Sequence, residues 1–121
     1  MASKPPLPRQ SVRGSATGRP IMALLDLLGR RWSLRILWEL RDQPLTFRAL
    51  QNACDGVSPT VLQQRLKELR TGRLVSHDGS SGYALTELAR RLYPSLMALH
   101  DWAEDWARET SRPADGSEEE E

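Results

Sequence analysis

Between residues 57 and 86, VSPTVLQQRLKELRTGRLVSHDGSSGYALT, the apolar pattern changes its period. Leu62, Leu66 and Leu69 recur at helical spacing, whereas RLVSHD (73–78) and GYALT (82–86) read as short strands joined by Gly79-Ser80-Ser81. Side chains repeat every 3.6 residues on a helix and every two on a strand, so the two halves cannot belong to one element. The stretch therefore predicts a helix that runs into a β-hairpin. Ser58 fits as its N-cap and Pro59 as its first helical residue, where a missing N–H costs nothing. Thr71-Gly72 ends it.

Three shorter helices precede it. Residues 20–29 (PIMALLDLLG) start on Pro20 and stop at Gly29. Residues 32–41 (WSLRILWELR) are apolar on most of their circumference, with Arg35 and Glu39 as an i, i+4 polar strip, which places that helix at the centre of a bundle. Asp42-Gln43-Pro44 breaks it, and Thr46 caps a third helix, TFRALQNAC, with Phe47, Leu50 and Ala53 inward. Asp55-Gly56 forms the turn into the fourth. After the hairpin, Thr86 caps a last helical run carrying Leu88, Leu92, Leu96, Leu99, Trp102 and Trp106, which Pro94 should kink or divide. The fold class expected is mainly α with a small β-hairpin wing, a winged helix-turn-helix.

The ends are of different composition. Residues 1–19 are rich in Pro, Ser, Gly and Arg, and residues 111–121 finish on four glutamates. Neither can bury enough apolar surface to offset the entropy of ordering, so a basic arm and an acidic tail are expected to flank a domain at 20–110. A core of that size is thin, which favours a dimer.

Charge is unevenly spread although the net is only +1. Residues 30–73 hold nine Arg or Lys against four acids, while Asp101, Glu104, Asp105 and Glu109 face Arg108 alone near the C-terminus. One part of the domain suits an anionic partner and the other does not. The single cysteine, Cys54, excludes a disulfide framework, and no apolar run resembles a signal peptide or a membrane span, so a cytoplasmic protein without membrane contact is expected.

The fourth helix suggests what the anionic partner is. Opposite its leucines stand Thr60, Gln64 and Lys67, with Gln63 and Arg70 beside them. A Gln amide can pair with adenine through two hydrogen bonds, Thr offers a hydroxyl and a methyl, and Lys serves guanine or phosphate. Arg48, Arg65, Arg70 and Arg73 can meet phosphates, which positions the helix without reading sequence. Gln and Lys are equally at home on any solvated helix, so the following hairpin carries part of the weight.

Three segments resemble the HxlR-type (MarR-like) winged helix-turn-helix transcriptional regulators of bacteria: LLDLLGRRWSLRILWEL at 24–40, GVSPTVLQQRLKEL at 56–69 with GRLV at 72–75, and YALTELARRLYPSLMALHDW at 83–102. The resemblance implies a homodimer built from the first and last helices, here Ile21, Leu24, Leu25, Leu28, Leu96, Leu99, Trp102 and Trp106. It implies binding to a pseudo-palindromic operator in double-stranded DNA, more often to repress. Ser58, Pro59, Thr60, Gln63, Gln64 and Lys67 match the DNA-reading segment, Thr46 and Arg48 lie on the helix before it, and Ser80 and Ser81 fall at the wing tip. Two features depart from the family. Arg19 stands where many members carry a cysteine before the first-helix proline, which implies that this thiol switch is absent; and the wing is several residues shorter than usual.

Other chemistries find little support. His77 and His100 are isolated from other ligand types, no phosphate-loop pattern occurs and no nucleophile has a base beside it, so neither a metal, a cofactor nor an enzyme is expected. The rival reading is a winged helix that binds protein, using Trp102, Trp106 and the Leu96–Leu99 stripe. A third concerns regulation: apolar space lined by Trp32, Trp38, Leu99, Trp102 and Trp106 in a dimer can admit a small aromatic effector, although such a stripe is more often filled core.

Overall fold

A computed structural model describes residues 7–8 and 19–113. Most of the expected basic arm (1–19) and most of the acidic tail lie outside the described residues. What is described falls into two compact units, divided between Arg91 and Leu92.

The first unit holds α1 (Pro20–Leu28), α2 (Ser33–Glu39), α3 (Phe47–Ala53), α4 (Pro59–Thr71), β1 (Val75–Asp78), β2 (Gly82–Leu85) and α5 (Glu87–Arg90). The predicted breakers sit where the helices stop. Gly29 follows α1, Pro44 lies in the connection after α2, and Gly72 closes α4. Three of the helices carry the expected hydroxyl caps: Thr46 accepts from the Ala49 N–H, Ser58 from Val61 and Thr86 from Ala89, each at 3.1 Å. Each cap pairs one of the backbone donors that a helix N-terminus leaves unsatisfied.

The core gathers Ile36, Leu37 and Leu40 of the α2 segment, Leu50 of α3, Leu62, Leu66 and Leu69 of α4, and Val75, Tyr83 and Leu85 of the hairpin. Burying these side chains supplies the main drive to fold, at about 1.5–3 kcal/mol for each large one. Cys54 is fully buried among them.

The second helix is shorter than the 32–41 expected. Trp32 precedes it with a φ of 78°, in the left-handed region, and so stands outside the helix as its N-cap. Nor is α2 buried on most sides, as its apolar circumference suggested. Leu34 is exposed and Trp38 half-buried, because the partners of α2 cover only the face holding Ile36, Leu37 and Leu40. The Arg35–Glu39 pair does form, at 2.7 Å.

The hairpin pairs Val75 with Leu85 through to Asp78 with Gly82, antiparallel. A further pairing was not visible in the sequence: Leu45, in the connection between α2 and α3, forms an isolated bridge with Tyr83.

The last helical run divides, as Pro94 suggested. The break falls at Arg91-Leu92, and Pro94 enters the first turn of the next helix. A continuous helix would need a Pro94 N–H to reach the Arg90 carbonyl, and would drive the ring against it. Leu88, expected on the apolar stripe, is exposed on short α5.

The second unit is α6 (Tyr93–Ser111), one residue longer than the expected end of the domain. None of its residues is buried; Leu99, Trp102 and Trp106 are 57–62% exposed, and the two indoles stack at 6.1 Å. On α1, Ile21 and Leu25 are exposed as well, whereas Leu24 and Leu28 are half-buried. Among the described residues no helix is long and apolar enough to cross a membrane.

Candidate nucleic-acid interface

The turn between α3 and α4 is built by two residues of positive φ, Asp55 (38°) and Gly56 (82°). Glycine adopts that region without penalty and aspartate tolerates it, so Asp-Gly reverses the chain in a minimum of residues. The Gln51 side chain spans the turn and donates to the Val57 carbonyl at 3.4 Å. Ser58 then caps α4, whose leucine face is fully covered by the core.

That packing decides which side chains α4 can offer. Thr60, Gln63, Lys67 and Arg70 are exposed, and Gln64 is half-buried. With Leu66 and Tyr83 they line a groove of about 480 Å³ between α4 and the hairpin. A second hollow of about 450 Å³ continues it along β1, lined by Lys67, Arg70, Thr71, Val75, Ser76 and His77. Lys67 and Arg70 border both, so two cations stand where helix and wing meet. Tyr83 forms the floor. Its ring stacks on His77 at 4.2 Å and tilts against Phe47 at 6.5 Å.

The remaining cations divide into two groups. Arg48 on α3 and Arg73 after α4 are exposed, Arg73 with a φ of 65°. Arg65, expected from spacing to meet phosphate, is turned inward instead. Its Nε donates to the Arg31 carbonyl at 2.8 Å and its Nη1 lies 3.3 Å from the Glu68 carboxylate. Glu68 is the largest surprise. It sits on α4 with a side chain only 2% exposed, and Arg30 reaches it from the turn after α1 at 3.0 Å. Gln64 donates to it through Nε2 at 2.8 Å. The i+3 and i+4 offsets from Arg65 and Gln64 could have flagged this cluster in the sequence; the long-range partner Arg30 could not.

Ser80 and Ser81 fall at the tip between β1 and β2, and both are exposed. Ser80 donates from both its backbone N–H (3.0 Å) and its hydroxyl (3.1 Å) to Asp78 Oδ1. These bonds, with a further one from the Ser81 hydroxyl, hold the Asp78 carboxyl below its ordinary range. The tip is thus a closed turn whose serine donors already serve a carboxylate. Thr46 and Ser58 act first as caps, though a hydroxyl that accepts an N–H keeps its own hydrogen to donate.

Cys54 is a core residue. Burial pushes its thiol up, and nearby Arg35 offsets this only in part, so the nucleophilic thiolate is disfavoured. Among the described residues no group of three or more His, Cys, Asp or Glu side chains could hold a metal ion. Trp32 and Trp38, named for an effector site, each lie near a guanidinium: Arg31 at 5.6 Å from the Trp32 ring and Arg41 at 4.0 Å over Trp38.

A helix-turn-helix whose second helix presents polar and cationic side chains beside a β-hairpin defines a winged-helix DNA-binding protein. Residues 27–111 match the HxlR-like helix-turn-helix family, and the chain belongs to it. The family is one of transcriptional regulators. An HTH-type transcriptional regulator of Synechocystis sp. is 32% identical over 98 residues, covering 76% of this chain and 73% of its own. The HTH-type transcriptional regulator YodB of Bacillus subtilis is 31% identical over 87 residues, or 67% of this chain and 78% of its own. The crystal structure of quinone-bound YodB superposes with a TM-score of 0.66 at 29% identity, covering 70% of this chain and 94% of that one. A possible HxlR family transcriptional factor from Thermoplasma volcanium gives 0.64 at 29% identity, covering 70% and 82%.

Proposed function

We propose that the protein is a homodimeric, cytoplasmic repressor that inserts α4 into successive major grooves of a pseudo-palindromic operator. The observation that carries this is the exposed row Thr60, Gln63, Lys67 and Arg70, presented beside the hairpin by a helix whose other face is locked in the core. In this reading Thr60, Gln63, Gln64 and Lys67 meet base edges. Arg48, Arg70 and Arg73, with the hydroxyls of Thr46 and Ser58, meet phosphates, and Pro59 sets the helix start against the backbone. Arg65 acts as a brace beneath the helix. Ser80 and Ser81 bring the wing tip to the DNA.

A second copy of the chain covers the apolar side chains left open on α1 (Ile21, Leu25) and on α6 (Leu99, Trp102, Trp106), with Leu24, Leu28 and Leu96 at their margins. Burying this surface is what a chain with so thin a core gains from pairing. The basic residues 1–19 and the acidic residues after 111 flank this domain.

A small aromatic molecule is the effector. The likeness to YodB, solved with a quinone bound, and the four tryptophans of this chain support that reading. A saturable quench of tryptophan emission by a quinone is the expected result, and a linear collisional quench would remove it.

The test of the whole reading is fluorescence anisotropy with the DNA adjoining the protein's own gene, against a scrambled duplex, over rising salt. Preference for the native duplex that persists at moderate salt is expected. Equal binding to both that vanishes with salt would be counterion release alone, and would favour a protein-binding module.

A further inference from the structure

The buried cluster around Glu68 bears on which bases α4 selects. Glu68 receives Arg30 Nη1 at 3.0 Å, Arg65 Nη1 at 3.3 Å and Gln64 Nε2 at 2.8 Å. Its two guanidinium partners are themselves held, Arg65 by the Arg31 carbonyl and Arg30 by Asp26 at 3.8 Å. The carboxylate therefore has a fixed place, and a carboxylate only accepts hydrogen bonds. Gln64 must turn its amide nitrogen towards it, since the flipped amide would set oxygen against oxygen. Its Oε1 is consequently directed away from Glu68, and Gln64 lines the groove beside Thr60, Gln63 and Lys67.

We propose that Glu68 is a positioning residue that fixes Gln64 as a hydrogen-bond acceptor, so that α4 selects an amino-bearing base, adenine or cytosine, at one position of each half-site. The inference rests on the DNA-reading role assigned to α4. In the major groove adenine N6 and cytosine N4 donate, while thymine O4 and guanine O6 and N7 accept. An acceptor held in place discriminates between these two classes. A freely rotating glutamine, able to offer either end of its amide, does not. The amide nitrogen keeps a second N–H, but an Oε1 set against a base acceptor is left without a partner, and that loss is what discriminates.

The experiment is selection from duplexes with a randomised half-site, carried out with the full-length protein and two variants, Gln64→Met and Glu68→Gln. The wild type is expected to enrich adenine and cytosine over guanine and thymine at one position by roughly five- to tenfold, the low end of a single base contact. Gln64→Met should lose that preference there and keep the others. Glu68→Gln, whose own amide can face Gln64 with either end, should relax the same position alone. A Glu68→Gln profile equal to wild type, or one weakened evenly at all positions, overturns the proposal. If Glu68→Gln does not fold, the other two proteins decide: a Gln64-dependent position that prefers guanine or thymine overturns it, and one that prefers adenine or cytosine upholds it. No enrichment at any position by the wild type would reject sequence reading by α4 itself, and this inference with it.

Discussion

Leu45 and Tyr83 exchange both of their backbone hydrogen bonds, Leu45 N–H to Tyr83 O at 2.9 Å and Tyr83 N–H to Leu45 O at 2.8 Å. This pair fastens the hairpin to the connection before α3, and it sets Tyr83 as the floor of the groove. Gly82, next in line, has a φ of 93°, and a Cβ there would lie 2.4 Å from the Leu45 carbonyl oxygen. Gly82→Ala should therefore destabilise the protein by roughly 1–3 kcal/mol through backbone strain and loosen the hairpin. A urea midpoint unchanged from wild type would show that the bridge is not needed.

Glu68 should be worth more to stability than any surface acid of this chain. Glu68→Ala takes the counter-charge from largely buried Arg65 and leaves Arg30 with Asp26 at 3.8 Å, a loss of about 3 kcal/mol. Arg65→Ala removes one arm only and should cost clearly less. Equal losses in chemical denaturation would mean that Arg30 does not share the carboxylate.

The inward turn of Arg65 separates it from the exposed cations of α4. Arg70→Ala should weaken binding to every sequence and lower the salt slope by about one. Arg65→Ala should leave the slope as it is, because its charge is already paired within the fold. A flattened slope in Arg65→Ala would restore it to the phosphate contacts.

Cys54 gives a pH signature. The unfolded thiol titrates near 9.0 and burial raises the folded value, so the unfolded chain sheds this proton first. The contribution is complete below 9.0 and is lost as the pH rises through and beyond it. Urea midpoints measured from pH 7 to 10 should fall more steeply for the wild type than for Cys54→Ala. The folded thiol should also resist aromatic disulfide reagents at neutral pH; rapid reaction would place it at the surface.

Ser33 lies fully buried at the first position of α2, and among the described residues its Oγ has no hydrogen-bond partner. Ser33→Ala removes an unpaired polar atom from the core without opening much space. Stability should hold or rise by up to about 1 kcal/mol, as read from the thermal midpoint.

The order of elements was legible in the sequence, because its signals are local. Hydroxyls at Thr46, Ser58 and Thr86 cap helices through bonds to residues three further on, Asp55-Gly56 supplies the positive φ of the turn, and Pro94 forbids a continuous last helix. The exposed face of α4 was legible for the same reason: the leucines at 62, 66 and 69 fix which sides are left over. How those leftover side chains are used depends on partners far away in the chain. In isolation Arg65 looks like a phosphate contact and Gln64 like a base reader, but Arg30, in the turn after α1, brings a charge across that holds Glu68 in the core, where both are tied to it. Leu45 looks like an ordinary loop residue until Tyr83 lies alongside. Spacing along a chain records neighbours a few residues apart, and these partners are 38 residues distant in both cases.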